Sequence, residues 1–88
     1  MTPTAEDRDA MRALLESLLA RRGDTRGLRD QDSLFDSGRL ASIDTLEVAV
    51  TLETRFGIDF SAGFDRDELD SLEKILELIA TRGRESGR

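Results

Sequence analysis

The apolar residues of this chain gather in three clusters at helical spacing, separated by two stretches with no sustained period. In the first cluster Met11, Leu14, Leu15, Leu18 and Leu19 recur at steps of three and four, which places them on one face of a helix. Thr4 with Asp7 three residues later is a variant of the capping box. Arg21 and Arg22 suit the negative end of a helix, and Gly23 supplies a stop. The pattern predicts a first helix over residues 5–22. Residues 24–41 form a long connection marked by Gly27, Gly38 and clusters of Asp and Ser, in which Leu28, Leu34 and Phe35 are expected to turn inward. Connections of this length often carry function.

Ser42 reads as the N-cap of a second helix that reaches Phe56, with Asp44 in its first turn and Gly57 as its stop. At about 100° per residue, Leu46, Ala49, Leu52 and Phe56 share one face, which is predicted to dock against the other helices. Ile43 and Val50 lie to one side of that stripe and flank Glu47, so the apolar arc widens to roughly 220°. That is more than a three-helix core needs. Either the long connection or a short third helix buries Ile43 and Val50, or they form a strip facing a partner, with Asp44, Glu47 and Glu53 as its acidic members. Beyond Gly57, Ile58 and Phe60 can anchor the next connection, and "FDRDELD" allows one or two short helical turns. Ser71 caps a last helix with Leu72, Ile75, Leu76 and Ile79 on one face, ending near Arg82. Residues 83–88 are polar and expected to fray. The expected class is all-α, with three main helices and a short third element before the last.

Composition narrows the chemistry. Eighty-eight residues suffice for one domain, and the Met1 start and short tail lead us to expect a discrete protein of residues 1–88 with its core in about 5–82. The sequence contains neither cysteine nor histidine, which removes disulfides, thiolate sites, Ser-His arrangements and the usual zinc ligand. Catalysis by this chain alone is therefore not expected. The net charge of -6 is uneven: residues 30–73 carry 12 acidic and 3 basic side chains. Such a surface repels nucleic acid and anionic membrane and attracts basic protein patches. No apolar run approaches the ~20 residues of a membrane span and no signal-peptide core is present, so a cytoplasmic protein is expected. Asp67 with Asp70 or Glu68 could pair, but in so acidic a segment they read as a solvated face. Oxygens also cluster in "DFSAGFDRDELD", at a spacing that fits no EF-hand calcium loop.

Two serines remain as candidate handles. Ser37 precedes Gly38, which disfavours helix, and reads as a turn residue. Ser42 sits where connection becomes helix, at the positive end of the dipole, a place suited either to an ordinary cap or to a phosphate ester.

The segment "LFDSGRLASIDTLEVAVTLETRFGIDF" resembles the centre of acyl carrier proteins and the related peptidyl and D-alanyl carrier proteins. The likeness covers roughly residues 32–79, and Thr45, Glu47, Leu52, Glu53 and Phe56 fall in the family's pattern without gaps. "LFDSGRL" is most similar to stand-alone carriers served by a discrete adenylating ligase. The resemblance implies a small four-helix bundle of acyl-carrier type, acting as a monomer. It implies that Ser42 is esterified by 4'-phosphopantetheine from coenzyme A through a phosphopantetheinyl transferase. It also implies that an acyl- or aminoacyl-activating ligase and downstream transferases dock on helix two, with Ile43 and Val50 in apolar contact and Asp44, Glu47 and Glu53 steering. One residue departs from the family: the Asp before the serine is Ala41 here, which removes a carboxylate that carriers usually offer to the transferase. The alternative is an unmodified, carrier-like acidic module that binds a basic partner through helix two.

Overall fold

The computed structural model describes residues 2–61 and 63–83, and among these it has three α-helices and no strand. α1 spans Ala5–Arg21, α2 Asp44–Phe56 and α3 Leu72–Arg82, with a 3-10 helix, Arg66–Leu69, between α2 and α3. The all-helical class read from the periodicity holds. The short third element is four residues of 3-10 helix, so the expected fourth helix of a bundle is reduced to a single tight turn. Of the tail expected to fray, residues 84–88 lie outside the described residues; Gly83 is the C-cap of α3.

Each helix ends where its sequence says it should, with one exception. Thr4 Oγ1 accepts from the Asp7 N–H at 3.1 Å while Asp7 Oδ2 accepts from the Thr4 N–H at 3.0 Å, completing the capping box of α1. Ser71 Oγ accepts from the Lys74 N–H at 3.1 Å and caps α3. α2 closes on Gly57, whose φ of +69° is left-handed and lets its N–H reach the Glu53 carbonyl at 3.0 Å. The exception is the start of α2, where Ser42 caps nothing.

The core lies where the three helices meet. α1 contributes Met11, Leu15, Leu18 and Leu19, and α3 contributes Leu72, Ile75, Leu78 and Ile79. From α2 come Thr45, Val48, Ala49, Leu52 and Phe56, and here the predicted stripe is corrected: Leu46 is exposed and Val48 is fully buried. The apolar arc of α2 is so wide that periodicity alone does not choose its inner edge. Packing does, and it rotates the helix so that Ile43, Leu46 and Val50 are left outside. Leu28, Leu34, Phe35, Ile58 and Phe60 turn inward as expected, joined by Leu40 and Leu69.

The long connection is fixed by polar anchors that no local pattern announces. Asp70 is buried, which overturns its reading as part of a solvated face. Its carboxylate accepts from the Phe35 N–H at 2.8 Å, the Asp36 N–H at 3.0 Å and the Ser33 hydroxyl at 2.7 Å, while its carbonyl accepts from the Leu34 N–H at 2.7 Å. Arg39, half-buried, forks onto Asp24 at 2.8 and 3.1 Å and donates to the Gly27 carbonyl at 2.6 Å. Arg8 and Arg12 of α1 both pair with Asp30. Residues 24–41 are therefore bound to α1 on one side and to the start of α3 on the other.

Candidate functional site

The candidate site is the turn that leads into α2. Successive i to i+3 hydrogen bonds run from the Asp44 N–H to Ala41, from Thr45 to Ser42 and from Leu46 to Ile43, at 2.9, 3.1 and 3.2 Å. The chain is already turning helically at Ser42, two residues before α2 proper. Asp44 Oδ2 reaches back to the Ala41 N–H at 2.9 Å, which is half of a capping box with Ala41 in the cap position. Ala41 has no side-chain oxygen with which to complete it. Ser42, one residue inside the turn, is exposed, and its hydroxyl makes no hydrogen bond within the described residues. Its carbonyl accepts from the Thr45 hydroxyl.

Ser37 is the opposite case. Its hydroxyl donates to the Ser33 carbonyl and accepts from the Arg39 N–H at 3.3 Å, and its N–H donates to Ser33 Oγ at 3.2 Å. Gly38 follows with a φ of +80°, a conformation glycine adopts without strain. Ser37 is consumed by the turn, as its sequence context predicts.

The surface beside Ser42 combines an apolar strip with paired charge. Ile43, Leu46 and Val50 are 69, 59 and 55% exposed at i, i+3 and i+7, one continuous line on α2. Asp44 and Glu47 are turned toward α1: Arg22 Nε donates to Asp44 Oδ2 at 2.7 Å, and Arg21 Nη1 to Glu47 Oε1 at 3.3 Å. Burial pushes the Asp44 carboxyl up, but the Arg22 guanidinium and the Ala41 N–H outweigh it and hold the group below its ordinary value. The second oxygen of Glu47 is buried without a partner among the described residues. Glu53 is exposed further along the helix.

The chain is 42% identical over 55 residues to the D-alanyl carrier protein of Streptococcus thermophilus, an alignment that covers 61% of this chain and 68% of that protein. The chain belongs to the carrier protein family. The D-alanyl carrier proteins of Streptococcus sanguinis and Streptococcus gordonii match it to the same extent. No protein-family model matches this carrier, and no solved structure matches it significantly. Among its described residues no helix is long and apolar enough to cross a membrane, and no group of His, Cys, Asp or Glu is placed to hold a metal ion.

The structure brings Ser42, Ile43, Asp44, Glu47 and Val50 of the carrier to one end of α2, with Glu53 two turns on from the helix start. Sequence reasoning misses three contributors. Periodicity assigns Leu46 to the core face, and the only sign of its exposure is the surplus width of the apolar arc. Arg21 and Arg22 suit the negative end of the α1 dipole, but nothing local shows that they also cover the acids of α2.

Proposed function

We propose that this carrier holds acyl or aminoacyl groups as thioesters on a 4'-phosphopantetheine arm attached to Ser42 Oγ, and presents them to partner enzymes without catalysis of its own. The observation that carries the reading is the free, exposed hydroxyl of Ser42 on a hydrogen-bonded turn, set against the fully engaged hydroxyl of Ser37. The relatives' name, D-alanyl carrier protein, favours an aminoacyl cargo within that class. The arm would supply the one nucleophile a chain without cysteine lacks, a terminal thiol.

The residues present fit such a group. A phosphodiester on Ser42 would sit at the N-terminal turn of α2, where helix N–H groups and the dipole favour negative charge. Asp44 does not oppose it as an isolated anion, because its carboxylate is drawn back onto Ala41 and Arg22. The short i to i+3 turn fixes the Ser42 backbone, so an attached arm would swing from a stationary base. The partners implied are a phosphopantetheinyl transferase, an activating ligase and downstream transferases. We place the whole of residues 1–88 in one carrier domain of acyl-carrier type, working as a cytoplasmic monomer.

Intact mass after incubation with coenzyme A and a broad-specificity phosphopantetheinyl transferase tests this. The expected result is a gain of one phosphopantetheinyl group on wild type and none on Ser42→Ala. A gain that survives Ser42→Ala moves the site elsewhere. No gain on wild type, where a control carrier is modified, leaves the second reading, an unmodified module binding through α2, which the missing carboxylate at Ala41 favours.

A further inference from the structure

The acidic residues that sequence assigns to steering are accompanied in the structure by cations of the same chain. Asp44 is paired with Arg22 and Glu47 with Arg21, both arginines projecting from the C-terminal end of α1. Exposed pairs of this kind add little stability, about 0–1 kcal/mol each. Their effect on an approaching molecule does not depend on that strength. Two positive and two negative groups in one patch leave no net charge there, and an incoming charge meets short dipoles whose field is lost well within a Debye length of about 8–10 Å. Of the three acids assigned to the strip, only Glu53 has no cationic partner among the described residues. Between them runs the unbroken apolar line of Ile43, Leu46 and Val50.

We propose that this face takes its partners by apolar contact, with Arg21 and Arg22 filling in cis the place that a basic patch of the partner would otherwise take. The surface it fits is an apolar depression on a carrier-using enzyme, bearing at most one cation, opposite Glu53. The inference rests on the carrier reading and reverses one expectation: the strong negative charge of residues 30–73 is not what recruits partners at this end of α2. A second copy of the chain is the poorer occupant, because three side chains offer far less than the roughly 800 Å² per partner of a stable interface.

The test uses the Ser42→Ala chain, which offers no serine at the proposed site, as a competitive inhibitor of a phosphopantetheinyl transferase acting on a control carrier. Between about 25 and 300 mM NaCl its inhibition constant should rise less than about threefold. Adding Arg21→Gln and Arg22→Gln should tighten inhibition at the low end and make it weaken on the order of tenfold over the same range. Adding Leu46→Asn should weaken inhibition about tenfold at every salt concentration. Arg21→Gln alone, at an exposed position, serves if the double change perturbs folding, judged by circular dichroism. A steep salt dependence of the Ser42→Ala chain overturns the proposal, as do indifference to Leu46→Asn, absence of inhibition, or self-association through this strip. Because nothing here requires modification, inhibition with no mass gain on wild type sinks the Ser42 reading and leaves the docking face standing.

Discussion

Replacing Asp70 by Ala should destabilise the domain more than any other single polar change. The carboxylate is the common acceptor for the Phe35 N–H, the Asp36 N–H and the Ser33 hydroxyl. Its removal leaves the Phe35 donor buried and unsatisfied, a cost of about 1–3 kcal/mol. The other two donors lie nearer the surface and can turn to water, so each forfeits only about 1 kcal/mol of net bonding. The sum is about 3–5 kcal/mol, against a total of roughly 4–13 kcal/mol for a domain of this size. At roughly 4–8 °C per kcal/mol, the melting temperature should fall by about 12–40 °C. Asp70→Asn keeps one acceptor oxygen and should lose about a third as much. The pH dependence follows from the same contacts: burial raises the Asp70 carboxyl, yet the bonds from Asp36, Ser33 and Phe35 outweigh it and hold the folded value below the ordinary one. A group depressed in the folded state stabilises above its unfolded value, near about 3.9, and ceases to do so as pH falls through the folded value. The gap between wild type and Asp70→Asn, followed by thermal melts, should therefore be widest above about pH 5 and narrow toward pH 2. A gap under about 3 °C at neutral pH, or one independent of pH, would refute the reasoning.

Ala41→Ser should complete the half-built cap at the start of α2 and add about 0.5–1 kcal/mol, seen as a melting temperature higher by a few degrees; a decrease would show that Ala41 does not stand in the cap position. Leu46→Ser should change stability by less than about 0.5 kcal/mol, whereas Leu52→Ala, six residues on and fully buried, should cost about 2–5 kcal/mol in urea unfolding. Equal effects would mean that the helix is rotated from the orientation described. Gly57→Ala should cost about 1–2 kcal/mol, because a side chain is forced into the left-handed region at a φ of +69°; a neutral result would place the end of α2 elsewhere.

What sequence made legible was whatever depends on neighbours along the chain. The caps at Thr4 and Ser71 and the stops near Gly23 and Gly57 emerge as read, and so do the stripes of α1 and α3 apart from their edges, where Leu14 and Leu76 are only half-buried and Leu78 joins the core. The assignment of Ser37 to a turn also rests on local chemistry, Gly38 above all. Errors came where a contact spans the fold. Asp70 looked solvated because its flanks are acidic, and only the arrival of residues 33–36 makes it a buried acceptor. Ser42 looked like a cap because its residue type suits one, but Asp44 bends back to Ala41 and sets the helical turn in motion earlier. Leu46 and Val48 are equally apolar at this level of reading, and the choice between them belongs to α1 and α3.

The Asp70 clasp also imposes an order on the birth of the molecule. It joins Phe35 to a residue 35 positions further along the chain, so its loop-closure entropy must be met before its hydrogen bonds can reward it. A growing polypeptide that has just extruded Ser42 has the serine but not the anchor behind it. The connection that carries Ser42 toward α2 becomes fixed only when the start of α3 has been made, and any enzyme that requires the finished turn must wait for nearly the whole domain.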